Sequence, residues 1–334
     1  MTAEIGVILS QTGTPQSLDR TEVRRYLREF LSDQRIIDLP RWRWLPILHG
    51  IVLRTRPAVV AQRFAQIWTE QGSPLLAISR AQQEGIQDRL RDRYQVELAL
   101  AYSTPNMSEA LEALRRAGIA KIVVLPLFPQ YSNATTASVY DAAMLHALGR
   151  GRPGGLPIMK HSPTLRFIHP FHDDPEYVAV LASSVRRQLA EGPAPDRIIV
   201  SYHGLPQHFD DAGDPYRGQC EASTRLLAEE LGWAEGTFEI AYQSRFGRTK
   251  WIRPYLHTRL RELHREGVEQ PVVITPGFTT DCLETMHELA IEGRKLFARG
   301  GGAPDRFRVL ACLNDDPAWL DYIADLIARN SNGW

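Results

Sequence analysis

Short apolar runs rich in valine, isoleucine and leucine recur along this chain, and between them lie longer stretches whose apolar residues return every three or four positions. The short runs have the length and β-branched content of buried strands, and the longer ones have the period of helices that cover a sheet. The pattern predicts strands over Ile5–Leu9, Glu97–Tyr102, Lys121–Leu127, Ile158–His161, Arg197–Tyr202, Phe238–Tyr242, Val272–Thr275 and Arg308–Cys312. It predicts helices over Ser108–Ala117, Glu176–Ala190 and Thr249–Glu266, with a terminal helix over Pro317–Ala328. Such alternation belongs to an α/β fold built on parallel sheets.

The eight strands divide into two sets of four, and the halves echo one another. Glu97-Leu-Ala-Leu-Ala-Tyr-Ser103 resembles Phe238-Glu-Ile-Ala-Tyr-Gln-Ser244, and each is followed, after a helix, by an apolar strand ending in proline, at Pro126 and at Pro276. A duplicated unit is expected. At 334 residues the chain exceeds the usual single domain, so two domains sharing a cleft are expected. The turn-rich run Gly149–Pro157 interrupts the pattern in mid-chain. The boundaries read as 1–165 and 166–316, with a terminal helix and tail over 317–334 that can return to the first domain.

Charge narrows the partners. Lys plus Arg and Asp plus Glu both number 39, so there is no net basic field to hold nucleic acid. The three cysteines, Cys220, Cys282 and Cys312, lack the close spacing of a zinc site or a disulfide framework and fit a reducing cytoplasm. The opening residues carry no basic n-region, and their apolar run is too short for a signal peptide or a membrane span. Residues 39–54 alternate arginines with tryptophans and aliphatic groups. Two readings stay open for them: an interfacial segment at the inner face of the cell membrane, or an amphipathic helix packed on the sheet.

The strand pattern ending in Ser201-Tyr-His-Gly-Leu-Pro206 places His203 at a strand's carboxyl end, where ligands bind in open α/β sheets. A neutral imidazole there can accept a proton or offer a lone pair to a metal. After the strand at Val272–Thr275, Glu284 and Glu288 lie four residues apart on an expected helix. Asp281 with Glu284 reads as a capping pair. Capping leaves Glu288 unexplained, so a solvated acidic face and a proton or cation site remain alternatives. Tyr131, Trp251 and Phe278 stand near strand ends and can wall a flat apolar ligand or simply fill a core. Asp210–Tyr216 reads as a surface turn.

Several motifs together resemble those of the ferrochelatase family. They are Ser201-Tyr-His-Gly-Leu-Pro206, Gly213-Asp-Pro-Tyr216 with Cys220, Tyr242-Gln-Ser-Arg-Phe-Gly247 with Trp251 and Pro254, and Phe278-Thr-Thr-Asp-Cys-Leu-Glu-Thr285. The first half adds Gly13-Thr-Pro15, Tyr26-Leu-Arg-Glu-Phe-Leu-Ser-Asp33, Arg56-Pro57, Ile67-Trp-Thr-Glu-Gln-Gly-Ser-Pro-Leu75 and Leu125-Pro-Leu-Phe-Pro-Gln-Tyr-Ser132. The resemblance implies two similar Rossmann-like domains, each a four-stranded parallel sheet flanked by helices, with the active-site cleft between them. It implies insertion of ferrous iron into protoporphyrin IX with release of two protons, the final step of haem synthesis. His203 falls on the family's active-site histidine and Glu284 and Glu288 on its acidic pair, with His203 and Glu284 as metal contacts. Tyr131, Ser132, Trp251 and Phe278 fall on the porphyrin pocket, and Ser73 and Arg54 on positions that meet the propionates. Porphyrin and ferrous iron are then the partners, the chain acts as a monomer, and no cofactor is needed beyond the iron substrate. No iron–sulfur cluster is expected, since no cysteine cluster trails the chain.

Two stretches depart from the family pattern: Leu9-Ser-Gln-Thr-Gly-Thr-Pro15 in place of a Leu-Asn-Leu-Gly-Thr-Pro type, and Tyr102-Ser-Thr-Pro105 in place of Tyr-Gly-Asn-Pro. The rival readings are a chelatase for another tetrapyrrole or metal, such as coproporphyrin III or cobalt, and a non-catalytic two-lobed binding protein. A Cys–His hydrolase using Cys282 is a weaker third, because no histidine is oriented toward that thiol by sequence.

Overall fold

The computed structural model describes residues 3–149, 161–247 and 249–334. They form two compact units, one from Met1–Leu127, Ser132–Pro170 and Leu320–Trp334, the other from Phe128–Tyr131 and Phe171–Trp319.

The first unit holds β1 (Ile5–Gln11), β2 (Tyr94–Leu100), β3 (Lys121–Pro126) and β4 (Thr164–Phe167), all parallel, in the order β2-β1-β3-β4. The central strand β1 is buried at every position, as a strand covered on both faces must be. Helix Met107–Arg116 begins at Asn106, whose side chain accepts from the Glu109 N–H while the Glu109 carboxylate accepts from the Asn106 N–H. This reciprocal cap fixes the helix entry. It brings the fully buried Leu114 over Gly6, where a Cβ would come within 2.6 Å of a Leu114 methyl.

The second unit repeats the plan with β5 (Arg197–His203), β6 (Phe238–Gln243), β7 (Pro271–Ile274) and β8 (Arg308–Val309), in the order β6-β5-β7-β8, again all parallel. Ile199, Leu260, Val273, Leu289, Phe297 and Phe307 form its core on one face. The expected α/β fold with two four-stranded parallel sheets is therefore present, and the matching strand orders show that the echo in sequence is an echo in topology.

Three expected elements change. The fourth strand of the first sheet is Thr164–Phe167; of the expected Ile158–His161, residues 158–160 lie outside the described residues and His161 sits in a bend. The turn run Gly149–Pro157 likewise lies outside them apart from Gly149. The expected helix Thr249–Glu266 starts only at Leu256, ending in a 3₁₀ turn over Leu263–Glu266. Upstream, the backbone is committed elsewhere: Gln207 N–H donates to the Lys250 carbonyl and Ile252 N–H to the Leu205 carbonyl. Strand β8 stops at Val309 because side chains take over its ladder, the Ala311 N–H donating to Gln188 Oε1 and the Cys312 N–H to Asp281.

Residues 39–54 are not one proline-broken helix on a sheet. Helix Arg41–Ile47 runs into a π-helical segment Leu48–Val52 and then helix Leu53–Ala65. Leu48 and Leu53 are buried with Val23 and Leu27 of helix Arg20–Ser32, while Leu39, Trp42, Ile47 and Ile51 stay exposed. Among the described residues no helix is long and apolar enough to cross a membrane. The last helix runs over Pro317–Asn330: Trp319 packs with Phe171 and Tyr177 in the second unit, whereas Asp321 pairs with Arg89 in the first.

Replacing Leu114 by Ala removes a fully buried side chain from a close-packed helix–strand seam. The expected loss is about 2–5 kcal/mol, measurable as a lowered urea midpoint with unchanged slope.

Candidate active site

In the second sheet β5 lies between β6 and β7. The chain leaves β5 toward one side for β6 and crosses back to the other for β7, so the loops after β5 and β7 part in opposite directions. That switch point is where open α/β sheets bind ligands. His203 is the last residue of β5, and the loop after β7 runs from Thr275 to Cys282.

The half-buried imidazole of His203 is held through Nδ1, 2.7 Å from the Gly204 carbonyl oxygen. A carbonyl only accepts, so Nδ1 carries the hydrogen and Nε2 keeps the basic lone pair. Glycine follows for a spatial reason: a Cβ on residue 204 would lie 2.7 Å from the Gln243 carbonyl oxygen and 3.0 Å from the Trp251 ring. Trp251 is buried, its ring centroid 6.5 Å from that of His203, with Phe246 edge-on at 4.9 Å. It is fixed by an antiparallel bridge to Pro206, and its indole N–H has no hydrogen-bond partner among the described residues.

Glu284 and Glu288 stand on Leu283–Gly293, a π-helix and not the α-helix their spacing suggested. π-Helical turns gather at functional sites. Nor does Asp281 pair with Glu284 as a cap; its carboxylate accepts from the Thr285 hydroxyl at 2.7 Å and from the Asn314 amide at 2.7 Å. Asp281 thus ties the helix start to the loop that follows β8.

Glu288 is held by a residue that sequence reasoning passed over. Ser244 donates its backbone N–H to one carboxylate oxygen at 2.7 Å and its hydroxyl to the other at 2.6 Å. To do so Ser244 takes a φ of 65°, a left-handed conformation unusual for a residue with a Cβ. Burial pushes the Glu288 carboxyl up, against the lowering effect of the Ser244 bond and of the nearby His203, while the Glu284 charge adds to the rise. Gln243, buried beside it, accepts from the Ser201 hydroxyl at 2.7 Å and donates weakly to the Glu284 carbonyl at 3.4 Å.

His203, Glu284, Glu288 and Trp251 are therefore brought together within one unit. Tyr131 and Phe278, both half-buried, belong to it on adjoining loops: a Cβ on Gly277 would lie 3.2 Å from Gln130 Oε1, and Gln219 accepts from the Tyr131 N–H at 2.6 Å. Cys282 is no nucleophile, since burial, followed by the Glu284 charge, raises its thiol far above the usual range. Asp210–Tyr216 forms the end of a short helix and a turn at Gly213, as its composition suggested. Among the described residues no three His, Cys, Asp or Glu side chains gather into a ready metal cage.

Ser73, Arg54 and Ser132 lie in the first unit. Ser73 is buried at the start of helix Pro74–Leu90, its hydroxyl 2.7 Å from that of Thr14. The Thr14 N–H donates to the Ser103 hydroxyl, so the serine of the departing Tyr102-Ser-Thr-Pro105 stretch braces the Gly13-Thr-Pro15 loop. Arg54 is exposed, and Ser132 is buried with its hydroxyl accepting from the Ala134 N–H.

A family model described as Ferrochelatase matches residues 4–331. The chain is 43% identical over 333 residues to the ferrochelatase of Bordetella pertussis, covering 99% of this chain and 89% of that protein. It is 42% identical to the ferrochelatase of Azoarcus sp. strain BH72, covering 100% and 89%. Among solved structures, SirB from Bacillus subtilis with Fe3+ superposes with a TM-score of 0.57 at 12% identity, over 98% of this chain and 96% of that one. DR2241 from Deinococcus radiodurans gives 0.54 at 14% identity, over 99% and 55%. At such identities the likeness is one of fold.

Folding raises the Glu288 carboxyl above its unfolded value, so the stability it contributes is full below the unfolded pKa and is lost as pH rises through the folded one. Glu288→Gln does not titrate. Its Tm minus that of the parent is expected to grow as pH goes from about 4 to about 8, read by scanning calorimetry. Ser244→Ala is expected to cost about 1–3 kcal/mol in denaturant unfolding, through one lost charge-assisted hydrogen bond.

Proposed function

The chain belongs to the ferrochelatase family, and from that premise we propose that His203, Glu284 and Glu288 carry its chemistry. The enzyme is a lyase that inserts iron into a porphyrin for haem synthesis. In the proposed reading the porphyrin is protoporphyrin IX, ferrous iron is the second substrate, and no resident cofactor is required. The observation that supports the assignment best is the pairing of a histidine anchored through Nδ1 with a half-buried carboxyl that burial raises above its ordinary value.

A free-base porphyrin must lose two inner N–H protons as the metal enters, and a flat ring points its lone pairs into its own hole. Bending the ring exposes them, at a cost that binding at the periphery can offset. His203 Nε2 is suited to accept the protons or to meet the metal, and the acidic pair to pass on what His203 receives. Trp251, Phe278 and Tyr131 supply aromatic surface for the macrocycle, with Ser132 beside Tyr131 in sequence; Ser73 and Arg54 are the proposed propionate contacts. All three chemical groups come from one chain, which fits action as a monomer.

Anaerobic mixing of the protein with ferrous iron and protoporphyrin is expected to give a haem spectrum, and His203→Ala is expected to slow it by about 10²–10⁴-fold. A variant within a few-fold of the parent would remove His203 from the mechanism. Running coproporphyrin and zinc or cobalt in parallel separates the proposed substrates from the rival chelatase readings.

We further propose peripheral contact, from the cytoplasm, between residues 39–54 and the cell membrane. Trp42 and Ile51 are 71% and 60% exposed, and Arg41, Arg43 and Arg54 flank them. Sedimentation with anionic vesicles is expected to fall markedly in Trp42→Ser combined with Ile51→Ser. Equal sedimentation of parent and variant would refute the contact.

A further inference from the structure

A cavity of about 470 Å³ opens in the second unit beside the candidate site, sharing Gln243 and Glu288 with it. Its walls include the aliphatic Leu256, Leu260 and Leu296, and its rim carries Arg245 and His257. The charge balance there is unusual. Each oxygen of Glu288, the one carboxylate in the lining, already accepts a hydrogen bond from Ser244. Arg245, Arg253 and Arg261 form no ion pair with any carboxylate among the described residues.

Tyr255 supports these cations in place of an acid. The guanidinium of Arg245 lies 4.7 Å from the Tyr255 ring centroid and that of Arg253 5.1 Å, while the His257 ring stacks on it at 5.7 Å with planes 13° apart. Held by its face, the Arg245 guanidinium keeps its N–H edge free to donate, whereas Arg253 also hydrogen-bonds the Tyr255 hydroxyl. Burial, then the charges of Arg245 and Arg261, push the His257 imidazole down, which marks a local excess of positive charge.

We propose that a small oxyanion, a phosphate or a polycarboxylate, binds at the mouth of this cavity through Arg245 and His257, with Arg253 beside them on the Tyr255 ring. The shared chemistry is a compact group of negatively charged oxygens that can take two or more N–H donors at once. The proposed donors are not among the residues assigned to the porphyrin or the iron, and the test uses neither porphyrin nor iron.

Isothermal titration of the whole protein at low ionic strength, once with inorganic phosphate and once with citrate, tests it and separates the two sources. Saturable binding of at least one anion is expected, weakened about tenfold or more in Arg245→Gln. Tyr255→Leu is expected to weaken it comparably, because Arg245 and His257 lose the ring they stack on. Folding of each variant is checked by circular dichroism. Absence of saturable binding for both anions, or binding unchanged in Arg245→Gln and Tyr255→Leu, overturns the proposal.

Discussion

A carboxylate taken partly out of water must find donors or give up its charge, and in the second unit the arrangement around half-buried Glu288 follows from that constraint. Ser244 supplies two donors at once, its N–H and its hydroxyl converging on one carboxylate from a left-handed backbone. Strand β6 therefore ends where it does because its next residue is turned away from the ladder. Gln243, the last residue of that strand, is in turn fixed by Ser201 on β5 and reaches the first turn of the π-helix. Three elements that share no covalent neighbours are locked into one register by four polar side chains, and this is the kind of network whose members cannot be removed singly without leaving another unsatisfied.

The same sheet plan occurs twice and is finished with different chemistry. At the end of β1 the loop through Gly13 is braced by neutral hydroxyls, Thr14 to Ser73 and Thr14 to Ser103, none of which titrates near neutrality. At the end of β5 and in the helix after β7 stand an imidazole and two carboxyls. The first arrangement is suited to holding a fixed shape, and the second to exchanging protons. Duplication thus supplied two scaffolds, of which each kept its topology while its loop ends diverged.

How much of this was legible in the sequence follows from where each feature gets its energy. The strands of both sheets were readable because apolar burial on two faces writes a continuous run, and His203 was readable because the run stops at it. Helix Leu256–Glu262 was overextended to Thr249 because residues 249–255 have helical amphipathicity, yet their backbone groups pair with the loop after β5, a long-range choice that local pattern does not carry. The π-helix escaped for a similar reason: Glu284 and Glu288 read as stacked on an α-helix, and which carbonyl each N–H chooses is set by surroundings. Asp281 looked like a cap and proved to be a tie to Asn314, thirty-three positions away. Ser244 was invisible as a clamp, because a serine in a polar loop gives no sign of a positive φ.

The geometry also divides the three chemical groups on the proposed reading. A metal ligand needs a lone pair turned outward and a charge that survives in place. Glu288 is the less suited on both counts: each oxygen already accepts from Ser244, and burial raises its carboxyl. It is better suited to keep or pass a proton than to hold iron. His203, anchored through Nδ1, and Glu284, four residues nearer the start of the helix, are the proposed metal contacts. A substrate metal must also depart with the product, so two ligands that let go serve better than a closed cage. Proton-holding at Glu288 then places the acid reservoir apart from the metal contact, which keeps two kinds of cation from competing for one set of lone pairs.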